Sequence, residues 1–238
     1  SGAAEDAINV KRGPVKLVAM ADADEDRLKS SYQALSESAE TKAGMDVPPE
    51  RRFVGVDADR HAMDCLKPGG GVILTTPVGF RWVHFQHAIE KGLNVFMEKP
   101  LSVDGPTTRR MLELAARSEQ KKLKVGVGLM SRHSRAMQEL EKRVRDGEVG
   151  EIISQHGYRM QNGIEKFRPT ARPKGMSELE FQIRKFHAFL WASGGAYNDF
   201  FIHIIDHLAW MKGAWPVQAQ AIGGRHYKVN KKGLAYVD

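Results

Sequence analysis

Short apolar runs alternate with longer amphipathic ones through the first half of the chain. Residues 15–21 (VKLVAMA), 53–56 (FVGV), 72–75 (VILT), 94–97 (NVFM) and 123–129 (LKVGVGL) read as short strands. Between them, residues 24–35, 57–66, 80–91 and 102–120 carry helical patterning, and residues 1–10 resemble the first turns of another helix. The punctuation agrees. Asp24 or Asp22 stands where the first of these helices needs a cap, Pro106 lies in a first turn, and Gly92 follows a last one. A polar loop runs through Pro48-Pro49, and no hairpin signal separates any two strands. Strand and helix in strict alternation predict a parallel sheet covered on both faces.

After about Met130 the texture changes. Residues 134–145 read as a helix ending at Asp146-Gly147. Residues 151–160 (EIISQHGYRM) and 217–223 (VQAQAIG) alternate like strands, and residues 196–211 form a largely apolar helix. Residues 161–185, with Pro169 and Pro173, read as a long loop. The expected fold class is α/β. A Rossmann-type parallel-sheet domain over residues 1–130 precedes an α+β domain over 131–238, whose open, mainly antiparallel sheet is incomplete.

Composition narrows the function classes. The 238 residues are 42% hydrophobic and 27% charged, ordinary for a globular protein, and no apolar run approaches the ~20 residues of a membrane span. Cys65 is the only cysteine, which rules out an intrachain disulfide and a cysteine-based metal knuckle. That usage fits a reducing compartment without excluding the periplasm. The net charge of +7 is spread along the chain without aromatic interleaving, so the basic surface suits anionic ligands better than nucleic acid.

Four groups of residues could carry chemistry. Asp22 closes a strand where a dinucleotide fold places the acid that binds the adenosine ribose; the plain alternative is a helix cap. The glycine fingerprint of such folds is absent, and Gly2 runs straight into a helix, so the chain is expected to begin just past the phosphate-binding turn. Thr75-Thr76-Pro77 ends another strand, either as a loop over a bound dinucleotide or as a simple turn. Glu98-Lys99-Pro100 ends a third: Lys99 could polarise a substrate oxygen, or pair with Glu98 on the surface.

The fourth group is a helix. Asp199, His203 and His207 are spaced by four and share a face, with Asp206 beside them. An aspartate one turn before a histidine suits a general base; a satisfied core histidine is the plainer alternative. A metal pair at His203 and His207 is a rival, but Ile204 stands where a zinc protease needs glutamate. The other histidines, His187 among them, read as surface or structural, with His133 a weak candidate.

Taken together, the stretches VKLVAMADADEDRL, VILTTPVGF, HAIEKGLNVFMEKPL, DGEVGEI and GGAYNDFFIHIIDHLAWMKG resemble the Gfo/Idh/MocA family of oxidoreductases, in the family's order. The resemblance implies an N-terminal NAD-binding Rossmann domain. It also implies a C-terminal α/β domain that binds a sugar or polyol and often serves homo-oligomerisation. It assigns Lys99, Asp199 and His203 as the catalytic set, and Asp22, Thr75, Thr76, Pro77, Glu98 and Lys99 as cofactor contacts. NAD is expected ahead of NADP, because the Asp22 charge would repel a 2′-phosphate. No metal, nucleic acid or membrane is expected as a partner. The implied reaction is hydride transfer between a hydroxyl-bearing carbon and nicotinamide, the alternative being an NAD-dependent glycosidase that oxidises its substrate transiently. The chain departs from the family in lacking the glycine loop and the C-terminal part of the substrate sheet. It also departs in carrying Arg81 where a histidine is common and Phe201 where a glycine is common.

Overall fold

A computed structural model describes residues 2–11, 13–160, 170–223, 226–230 and 233–237, the last two segments as backbone. The chain forms two compact units. Unit 1 is Ser1–Met97 with Gly105–Gly126, and unit 2 is Glu98–Asp104 with Val127–Asp238.

In unit 1, helix α1 (Gly2–Ile8) precedes β1 (Met20–Asp22), which pairs in parallel with β2 (Arg52–Val54), Met20 opposite Arg52. A second sheet has the order β3 (Gly71–Leu74), β4 (Asn94–Met97), β5 (Val125–Val127), with β3 and β4 parallel and Gly71 opposite Asn94. Helices α2 (Glu25–Glu37), α3 (Ala58–Asp64), α4 (Arg81–Glu90) and α5 (Gly105–Gln120) alternate with the strands. In the doubly wound order 3-2-1-4-5-6, β2 and β1 would take positions 3 and 2, and β3, β4 and β5 positions 4, 5 and 6. No described strand takes position 1.

Local chemistry explains these elements. The Asp24 carboxylate accepts from the Asp26 and Arg27 N–H groups and caps α2, while Asp22 Oδ1 accepts from the Asp24 N–H at 2.9 Å. Leu28 and Leu35 form the buried stripe of α2, seven residues apart. Leu74, Phe85, Ala88, Ile89, Leu93, Val95, Met97, Met111 and Leu114 make the dry core around β3 and β4. Each large side chain removed from water there contributes roughly 1.5–3 kcal/mol. The expected strand 15–21 shrinks to β1. Among the described residues upstream of it, only Leu17 forms a bridge, to Met45, because Val15 and its neighbours lie on the surface with no described ladder to join.

Unit 2 contains α6 (Arg135–Arg145), α7 (Glu178–Arg184), α8 (Leu190–Ser193), a π turn at Tyr197–Phe201, α9 (Ile202–Lys212) and an antiparallel ladder of β6 (His226–Asn230) with β7 (Gly233–Val237). Three expectations are corrected here. Residues 151–160 and 217–223 form no strand: their alternation is present, but no described neighbour supplies a ladder, and Ile153 is 95% exposed. The expected loop 161–185 contains α7, whose signal is the capping pattern Ser177-x-x-Glu180, with Ser177 Oγ accepting from the Glu180 N–H. Residues 161–169 of that loop lie outside the described residues. The expected helix 196–211 begins as a π turn, a geometry in which bonds run from i to i+5 and which often marks functional sites. Among the described residues, no helix is long and apolar enough to cross a membrane.

Candidate active site

The Glu98–Asp104 segment leaves β4 and belongs to unit 2, the unit that also holds the entrance to α9. Lys99 Nζ donates to the Asp199 carboxylate Oδ1 at 2.7 Å and to the Asp199 backbone carbonyl at 2.6 Å. It also lies 5.7 Å from the Phe200 ring centroid. A wide turn loosens the regular helical ladder, and the lysine takes a carbonyl within it. The two side chains are 19% and 15% exposed, so the pair is shielded yet reachable. Asn198 adds a second tie, donating from Nδ2 to the Ser102 carbonyl at 2.6 Å. The Glu-Lys-Pro segment is thus fastened to the π turn at two adjacent residues. The Lys99–Pro100 peptide is cis.

His203 stands in the first turn of α9. Burial is the main reason its pKa is lowered from the usual 6.5; the Lys99, Arg159 and His207 charges add to this, and the Asp199 carboxylate opposes it. The imidazole is therefore neutral near pH 7 and able to accept a proton. The Asp199 carboxylate does not orient it through a hydrogen bond of its own; that bond goes to Lys99. On the other side, Asp199 Oδ2 faces His187 Nε2 at 3.7 Å, and the His187 ring rests on Phe186 with centroids 3.9 Å apart. From the sequence, His187 reads as surface or structural. No spacing signal links it to Asp199, because it enters from the turn after α7 rather than along α9.

Asp206 has a different partner. It is 3% exposed, and Arg132 grips it with Nε at 3.1 and 3.0 Å from its two oxygens and Nη2 at 2.8 Å. The Arg132 guanidinium also stands 5.0 Å from the Trp210 ring. Such a fork against a carboxylate anchors a helix. Glu98 points its carboxylate at Gly128, where a Cβ would strike it. Phe201 is exposed and stacks on Tyr197 with centroids 5.7 Å apart. Among the described residues, no group of three or more His, Cys, Asp or Glu side chains is placed to hold a metal ion.

In unit 1, the other predicted residues stand at C-terminal strand ends, Asp22 at β1 and Thr75-Thr76-Pro77 beyond β3. Capping falls to Asp24, so Asp22 is not consumed as the cap of α2. Thr75 is exposed, and Thr76 Oγ1 lies 2.9 Å from His84 Nδ1. Arg81 is buried beneath this loop and donates to the Leu74 carbonyl and, at 2.8 Å, to the Thr76 carbonyl. Arg81 therefore sets the loop's backbone, and the loop's histidine contact comes from position 84 instead.

No family model matches the chain. An inositol 2-dehydrogenase of Corynebacterium glutamicum is 26% identical over 152 residues, covering 64% of this chain and 42% of the relative. A second inositol 2-dehydrogenase, from strain R of that organism, is 30% identical over 115 residues, covering 48% of this chain and 32% of the relative. The crystal structure of myo-inositol 2-dehydrogenase from Lactobacillus plantarum superposes with a TM-score of 0.59 at 24% identity, over 88% of this chain and 52% of that one. The resemblance to the Gfo/Idh/MocA family is borne out. The solved neighbour speaks for the fold: α/β, with a Rossmann-type parallel sheet. The chain spans less than half the length of these curated relatives.

Proposed function

We propose that this chain carries the substrate-handling residues of a polyol oxidoreductase, in which a sugar or cyclitol hydroxyl is oxidised to a carbonyl and a nicotinamide dinucleotide is the partner. The observation that carries this reading is the Lys99–Asp199 pair. Two residues 100 positions apart meet at 2.7 Å on a half-shielded π turn, one turn before a neutral histidine. His203 takes the hydroxyl proton. The Lys99 ammonium, with one N–H beyond the two given to Asp199, stabilises the negative charge that grows on that oxygen. Asp199 fixes the lysine and offers its second oxygen to the substrate.

Unit 1 fits a dinucleotide. Its candidate contacts Asp22, Thr75, Thr76 and Pro77 stand at C-terminal ends of parallel strands, the side on which such folds bind ligands. The threonine loop is held from beneath by Arg81 and His84. Glu98 and Lys99, which follow β4, are the further candidates. When bound, the nicotinamide accepts the hydride. The Asp22 carboxylate favours a ribose 2′-hydroxyl over a 2′-phosphate, and hence NAD over NADP.

The test is dinucleotide binding followed by a panel of inositols, sugars and glycosides. The expected result is net NADH formation with a polyol. Lys99→Ala should lower turnover about 100-fold or more, as for loss of one strong oxyanion donor, and His203→Ala on the order of 10²–10⁴-fold. Wild-type turnover in both variants would overturn the assignment. Glycoside cleavage without net NADH would replace it with the glycosidase chemistry.

A further inference from the structure

The reading above gives work to Lys99, Asp199 and His203 but leaves His187 without any. We infer that His187 Nε2 and Asp199 Oδ2 together hold one non-reacting hydroxyl of the substrate, which makes His187 a specificity-determining contact. This inference rests on the polyol reading.

The geometry of the carboxylate sets the argument. Its Oδ1 is committed to Lys99 at 2.7 Å, whereas Oδ2 faces the imidazole at 3.7 Å. That distance is too long for a direct hydrogen bond, whose limit is about 3.2 Å for N–H···O. It suits a bridging oxygen, because one atom can lie about 2.8 Å from both ends of such a gap.

The two ends are chemically unlike. The carboxylate only accepts, and an imidazole with its proton on Nε2 donates. The bridging group must therefore give one hydrogen bond and receive one. A hydroxyl does both, whereas a carbonyl cannot give, an ammonium cannot receive and a carboxylate would meet the Asp199 charge.

The imidazole is also held in place. His187 lies in the short 3-10 turn Phe186–Ala188, its ring rests on Phe186, and Ser193 Oγ lies 3.5 Å from its carbonyl. Its side chain is 22% exposed and that of Asp199 15%, enough access for a solute and enough shielding for the bonds to count. A second lysine there would compete for Asp199.

The experiment is equilibrium binding of myo-inositol and its monodeoxy analogues to the full chain, by calorimetry or ligand-observed NMR, for wild type, His187→Ala and His187→Gln. Removing the clamped hydroxyl should weaken wild-type binding about 10-fold, the size of one well-made polar contact. His187→Ala should weaken myo-inositol by a similar factor and should no longer distinguish the parent from that one analogue. His187→Gln, which keeps an N–H donor, should recover part of the discrimination, and it carries the test should the alanine variant melt early. A general structural role for His187 would instead weaken every analogue by the same factor, which would overturn the inference. So would wild-type discrimination in His187→Ala. Failure of the wild-type chain to bind any polyol would overturn the underlying reading and the clamp with it; polyol binding indifferent to His187 would overturn the clamp alone.

Discussion

Arg81 and Lys99 stand eighteen positions apart in the sequence, Arg81 at the start of the helix that follows β3 and Lys99 two residues past β4, and their environments differ sharply. Arg81 is 2% exposed and gives its guanidinium to the carbonyls of Leu74 and Thr76 beneath a core of Phe85, Ala88 and Ile89. Lys99 is held by the side chain and carbonyl of Asp199, at 19% exposure, in a unit whose buried apolar side chains among the described residues are Pro100, Phe181 and Ala192. A planar fork of fixed donors suits two backbone carbonyls at once, whereas a flexible ammonium suits a partner that must be shared. Burial thus separates a cation that fixes a loop's backbone from one that stays reachable, although both follow strands of one sheet.

Removing each cation in turn and measuring unfolding in denaturant should separate the two roles most clearly. Arg81→Met should cost about 3 kcal/mol or more, since two buried carbonyls lose a charged donor that the methionine cannot replace. Lys99→Met should cost about 1 kcal/mol, because Asp199 is left facing solvent-accessible space and His187. Equal losses would mean that Lys99 is as structural as Arg81.

Asp206→Asn probes what stands in for an apolar core in unit 2. The buried carboxylate and its forked arginine are a charge-assisted tie, and weakening it should cost about 2 kcal/mol. The Arg132 side chain, 37% exposed, can turn to water afterwards, which keeps the loss below that for a fully buried pair. A loss under about 0.5 kcal/mol would mean that apolar contacts alone hold α9.

The two regions should also differ in acid. Burial lowers the His84 pKa from 6.5; the Arg81, His87 and Arg60 charges add to it and the Asp59 carboxylate opposes it. Because the folded form disfavours the proton, the neutral ring's stability is fully present above the unfolded value near 6.5 and is lost as pH falls through the lower folded value. His84→Gln keeps a polar contact for Thr76 and removes the titration, so its stability curve should be flatter below pH 6.5 than the wild-type curve. His203→Gln should flatten the curve in the same direction, and less, because His203 is the more open of the two. Parallel curves for wild type and His84→Gln would show that other groups dominate the acid limb.

How much of this was legible in the sequence depended on whether the controlling contact was local. Residues 94–97 form the strand their apolar pattern predicts, and Asp24 caps α2 as its position before a periodic run suggests. Ser177-x-x-Glu180 is an equally local signal, but Pro169 and Pro173 beside it make the whole stretch read as loop. Residues 151–160 failed for another reason: alternation states which faces a strand would have, while pairing depends on a neighbour that no local pattern specifies. In the site, Lys99 and Asp199 were each marked by their own motif, but their contact joins residues 100 positions apart. Only the family resemblance linked them. His187 carried neither motif nor period, and only the fold brings it to Asp199.

The smallest effect belongs to His207, which shares a helix face with His203 by its spacing. Its Nε2 is buried and has no hydrogen-bond partner among the described residues. A buried polar atom left unbonded costs stability, so an apolar replacement of similar volume is expected to be neutral or mildly favourable. His207→Leu should change unfolding free energy by no more than about 1 kcal/mol, in either direction. It should also raise the His203 pKa, since His207 is one of the groups holding that pKa down. Histidine NMR titration reads this second effect directly, and independently of stability. A loss of 2 kcal/mol or more would show that the His207 ring carries a tie of its own, and the polar network of unit 2 would then extend along α9 beyond the Lys99–Asp199 pair. A neutral substitution with a raised His203 pKa would show that His207 acts on His203 through its charge alone, without a tie of its own.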